Sequence, residues 1–165
     1  MVWNAPHLHL MINHLPVFAP LLAIPLLAIA LWKREEKGAF IGAVLLLVLG
    51  AIGAFVSVQT GERAGDALTG EQGVSMLAMS AHEELAEGAA ITLYVVAMLA
   101  IVAAVMRFRN AAPASPLWIG ILLGAALMGA GIVGNAAMKG GEIRHPEIRP
   151  ADSALEQSSK QADDD

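Results

Sequence analysis

The residues of this chain best suited to chemistry are its histidines, and they are unevenly spread. His7, His9 and His14 crowd into "HLHLMINHLP", His82 opens "SAHEELAEGAA", and His145 follows Glu142 in "KGGEIRHPE". Neutral imidazole ligates haem iron and most divalent transition metals, and near neutral pH it also carries protons. Glu62, in "QTGERAGDA", and Glu142 add carboxylates of the kind that join histidine in metal-binding helix bundles. The chain has no cysteine, which excludes disulfides, thiolate zinc sites, CxxCH haem attachment and cysteine-held iron–sulphur clusters.

The elements that must carry these residues follow from hydropathy. The chain is 56% hydrophobic with a mean hydropathy of +0.61, well above an ordinary soluble domain. Its apolar residues form four blocks, 8–32, 39–58, 85–106 and 117–138, each long enough to supply the ~20 helical residues a bilayer requires. Glu87, near a block edge, is the one clear charge inside them. Only a helix or a closed barrel satisfies such a backbone in lipid, and the alternation of a barrel strand is missing.

The expected fold is therefore all-α, an integral membrane four-helix bundle with helices about 5–32, 39–60, 82–107 and 117–139 inside a domain 1–148. The second half of the long loop before the third helix has helix-like apolar spacing, as a short interfacial helix or as an extension of that helix. The acidic segment 149–165 is too polar to pack and is expected to be disordered. No basic stretch precedes the first block, which is also too long for a signal peptide, so it reads as a retained helix. Gly120-x-x-x-Gly124 in the fourth helix is a close-packing signature.

Lys33, Arg34, Lys37, Arg107 and Arg109 crowd two short links on one side, which favours that side as cytoplasmic. Both termini and all the histidines then lie outside, on the periplasmic side of a bacterial inner membrane. A net charge of −5 and the lack of a basic stripe exclude a nucleic-acid partner. No phosphate loop or nucleophile–base motif is present, which argues against a hydrolase or ATPase. The expected partners are the lipid bilayer and a redox protein or larger membrane complex.

Counting helical rise from the cytoplasmic anchors places His9, Glu62, His82 and Glu142 in one rim layer, roughly 36–38 Å up. His14 lies about 28 Å up, level with Ser57, Gly88 and Asn135. An ionisable residue at that depth is a functional candidate by default. Two uses of His14 are open: an axial haem ligand with His82, leaving room beside Gly88 and Asn135, or a hydrogen bond that ties helix one to Asn135 or Ser57. His82 is either the second ligand or a helix-start residue among acids that complement the macrodipole. His7 lies ~10 Å along the axis from His14, and His9 about 140° around it, so one straight helix cannot offer all three to one group.

Three functions follow. The leading one is a b-type haem-binding electron-transfer subunit using His14 and His82, with Asn135 and Gly88 beside the cofactor. The second is a metal-binding or sensing protein holding a divalent transition metal through His9, Glu62, His82 and Glu142, with His145 as a further ligand. The third is a non-catalytic subunit whose polar layer sets helix register.

The motifs "HLHLMINHLP", "QTGERAGD", "AHEELAEGA" and "KGGEIRH" together resemble a family of small four-helix bacterial membrane proteins without an established function, some fused to Rieske-type iron–sulphur domains. The resemblance covers residues 7 to about 148. It implies that His14 is the family's helix-one histidine, that His82 belongs to its His-Glu pair, and that Gly140 and Gly141 form its terminal diglycine. The Rieske fusions imply a redox setting; this chain departs from them in having no iron–sulphur domain, so any redox partner is expected to be separate.

Overall fold

The computed structural model describes residues 4–35, 37–109 and 115–149, and among them every regular element is helical. α1 (Ala5–Ile12) starts at Asn4, whose Oδ1 accepts the His7 backbone N–H at 3.0 Å and caps the helix. The first apolar block then breaks at Asn13 and His14, and α2 (Leu15–Trp32) begins afresh. Pro16 explains the break. Its ring clashes with the carbonyl one turn back in a continuous helix, whereas in a first turn its missing N–H leaves nothing unpaired.

α3 (Lys37–Leu68), α4 (Met76–Arg109) and α5 (Pro116–Glu142) follow, with a 3₁₀ turn at Pro146–Ile148. Four spans, with α1 and α2 together making the first, are long and apolar enough to cross a membrane. α2 and α4 each pack on both α3 and α5, so the four spans close into a ring of antiparallel neighbours. One end holds the start of α1 and the end of α5 (the terminal end); the other holds the α2–α3 and α4–α5 links (the turn end).

Hydropathy stops α3 near residue 60 and starts α4 near 82, but both helices run further. Their 32 and 34 residues extend about 48 and 51 Å, well beyond the ~30 Å hydrocarbon layer. The extra turns survive because they bury small faces: Ala64 and Gly65 from α3, Ala78 and Met79 from α4. At Gly65 a Cβ would sit 2.9 Å from Glu83 Oε1, the mobile end of an exposed side chain that can swing aside. Gly70 and Gly73, at φ of 82° and 81°, then turn the chain back through the left-handed region.

Two stacked clusters fill the ring. Ala23, Leu27, Phe40, Leu47, Ala100 and Leu122 pack toward the turn end, and Ala54, Ala90, Leu93 and Val133 toward the terminal end. α2 lies close on α3 at Gly53, where a Cβ would lie 2.9 Å from Leu15 Cβ. Gly120 and Gly124 are different: a Cβ at either meets nothing within 4 Å, so their motif packs no helix within this chain. The acidic tail lies outside the described residues from position 150 onward.

Candidate functional site

His9 and His82 are built into the terminal end in the same way. His9, on α1, puts Nδ1 2.9 Å from the Ser57 carbonyl oxygen of α3. A carbonyl only accepts, so Nδ1 carries the ring proton and the lone pair is on Nε2. Thr60 donates its hydroxyl to Val56 O at 2.7 Å, which leaves its oxygen, 3.4 Å from Nδ1, able to share the same proton. Gly61, one turn beyond Ser57, lies against the ring: a Cβ there would stand 3.2 Å from Cε1.

On α4, His82 donates from Nδ1 to the Ala136 carbonyl of α5 at 2.8 Å. Gly140, one turn beyond Ala136, lies against that ring, and a Cβ would come within 3.1 Å of Cε1 and 3.2 Å of Nδ1. Each helical hairpin thus repeats one device: a histidine on its first helix, a carbonyl on its second, and a glycine one turn later. Both histidine side chains are half-buried. Neither Nε2 has a partner among the described residues.

An imidazole oriented through Nδ1–H and offering Nε2 is the usual state of a metal-ligating histidine, since the outer hydrogen bond fixes the ring and raises its basicity. His9 and His82 would be the two residues to hold a haem iron, which would supply a one-electron couple there. They do not satisfy a four-coordinate ion such as zinc. Beside them, Ser57 Oγ and Asn13 Oδ1 are buried without a partner.

The other residues singled out from sequence lie elsewhere. His14 is exposed at the break before α2; its Nδ1 bonds Leu10 O at 3.2 Å and its ring stacks on Phe18 at 6.4 Å. It makes no polar contact with His82, Asn135 or Gly88, and the last two are themselves exposed. Helix phase gives the reason. Extended back along α2, His14 points about 180° from the fully buried Ala23, away from the ring's interior.

The rim ligands do not converge either. Glu62 is exposed, Glu142 accepts from Lys139 Nζ at 2.8 and 2.9 Å, and His145 Nδ1 contacts Glu147 Oε1 at 2.8 Å. Among the described residues no group of three or more histidine or acidic side chains is placed to hold a metal ion. His7 is exposed on α1. Outside the spans, the Glu147 carboxyl is held below the usual range by its own backbone N–H and then by His145.

Sequence reasoning missed the anchors, because two are main-chain carbonyls that any residue type provides. A partial signal was a glycine shortly before a glutamate on each return helix, Gly61 directly before Glu62 and Gly140 two residues before Glu142. Comparisons with known protein families, with curated proteins and with solved structures find nothing that matches this chain.

Proposed function

We propose that this chain is a membrane-embedded electron-transfer subunit that holds one b-type haem at its terminal end through His9 and His82. The observation that carries the reading is the repeated anchoring: two half-buried imidazoles at the terminal end, each bound through Nδ1 to a neighbouring helix and each offering Nε2. When bound, a haem supplies a one-electron couple, and two histidine ligands leave no open position for substrate. The chain's own part is to fix the rings: Ser57 O and Ala136 O set their tautomer, and Gly61 and Gly140 let them lie against α3 and α5.

Lys33, Arg34, Lys37, Arg107 and Arg109 at the turn end support a cytoplasmic location for that end. The histidines would then face the periplasm of a bacterial inner membrane. A chain without cysteine carries no iron–sulphur cluster held by thiolates, so a separate redox protein would dock there, in line with the family resemblance.

The test is an absorption spectrum of the full chain purified after expression with haem supplied. Reduced Soret and α bands are expected, lost in His9→Ala and His82→Ala and kept in His14→Ala. Colourless protein would overturn the haem reading. Bands that survive His9→Ala but vanish in His14→Ala would instead restore the pairing drawn from sequence.

A further inference from the structure

Arg107, in the last turn of α4, is a charged residue turned inward. It is 6% exposed, while Arg109 two residues on is exposed. Its Nη1 donates to the Arg34 carbonyl at 3.2 Å, and its guanidinium lies 5.3 Å from the centroid of the Phe40 ring. A carbonyl dipole and an aromatic face compensate a full charge only in part, and no carboxylate among the described residues pairs with it. Nε is buried and has no partner among the described residues. Burying a cation is strongly unfavourable without a counter-charge, and among the described residues none pairs with Arg107.

The surroundings suggest where a counter-charge resides. Lys33, Arg34, Lys37 and Arg109 are exposed around the same end and, with Arg107, outnumber Glu35 and Glu36 of the α2–α3 link, which leaves that end net positive. Trp32 is 82% exposed, with Lys33 Nζ 5.8 Å from its ring, and Phe108 is exposed beside Arg107. Exposed aromatic and basic side chains at a helix end mark the level of lipid headgroups.

We propose that the turn end binds the phosphate of an anionic lipid, with the Arg107 guanidinium as the specific contact and the exposed cations as its field. Basic pockets between membrane helices hold such headgroups through charge-assisted hydrogen bonds, and the planar fork of arginine matches a phosphate. The site is at the opposite end from His9 and His82 and stands or falls independently of any haem.

The test uses the full chain in nanodiscs of phosphatidylcholine with increasing phosphatidylglycerol, with retained lipid read by native mass spectrometry. Wild type is expected to retain phosphatidylglycerol over phosphatidylcholine by roughly tenfold, one charge-assisted contact's worth. Arg107→Gln should abolish the preference, Arg109→Gln should largely keep it, and inorganic phosphate should not compete at millimolar concentration. Equal retention of the two lipids by wild type overturns the proposal, as does an unchanged preference in Arg107→Gln. Competition by phosphate alone would make this a free-anion site, and equal losses in both variants would leave only a diffuse field; either result also overturns it. Should Arg107→Gln fail to fold, Arg107→Lys keeps the charge without the fork. It is expected to lower the preference severalfold, and no change would sink the idea.

Discussion

Replacing Gly140 by alanine sets two effects of similar size against each other. Removing a glycine from a helix stabilises it by roughly 0.5–1 kcal/mol, toward the lower figure here because Gly140 is in the last turn of α5. Against this, the new methyl arrives 3.1 Å from His82 Cε1 and 3.2 Å from Nδ1, closer than an ordinary contact. His82 rides on a long helix, so its ring must yield, and the 2.8 Å bond to Ala136 O lengthens with it. That bond contributes on the order of 0.5–1.5 kcal/mol.

Gly140→Ala alone is therefore expected to be neutral to mildly destabilising. In a His82→Ala background the obstruction is gone, and the same change should stabilise. The two substitutions should couple by about 1 kcal/mol. Denaturation of the four variants in mixed detergent micelles, followed by circular dichroism, measures the cycle. Additivity within ~0.5 kcal/mol would refute the reasoning, because the glycine would then owe nothing to the ring.

Gly53→Ala should lower stability by roughly 1–3 kcal/mol, since its methyl meets Leu15 Cβ, an atom fixed to the backbone of α2. Gly124→Ala, with open space at the same position, should be neutral or stabilising by up to about 1 kcal/mol; thermal melts compare the two. At the C-terminal turn the Glu147 carboxyl titrates lower in the folded chain than in the unfolded one. Its small stabilisation is thus complete above the ordinary carboxylate range and is lost as pH falls through the folded value. Carbon-13 titration should place the Glu147 midpoint below 4.5 and show it rising in His145→Ala; a midpoint unmoved by that substitution would contradict the assignment.

Helices were legible because lipid imposes the simplest of patterns, long apolar runs with charge at their ends. Their true ends were not, since the outer turns of α3 and α4 hold Glu62, Arg63, Asp66 and Glu83 and yet stay helical by burying Ala64, Gly65 and Met79 on their facing sides. The depth count set His9 and His82 in one layer, because rise per residue is nearly independent of packing. Direction around the axis was harder to read. Apart from Leu27, the inward face of α2 carries Pro16, Ala19, Pro20, Ala23 and Ala30, which hydropathy ranks below the leucines facing outward. Had that small-residue face been taken as the interior, His14 would have been assigned to the outside. The Gly120-x-x-x-Gly124 spacing misled for a related reason: a spacing shows which helix face is small, not what lies against it.

The break at Asn13 and His14 gives the two anchored histidines unequal stiffness. His82 is carried by a 34-residue helix packed along its length, whereas His9 is carried by the eight-residue α1, which joins the rest through a turn. Asn13 Oδ1, buried in that turn without a partner, adds no bond that would lock it. One imidazole is therefore held by a whole span, and the other by the packing of α1 on α3 and by its own bond to the Ser57 carbonyl.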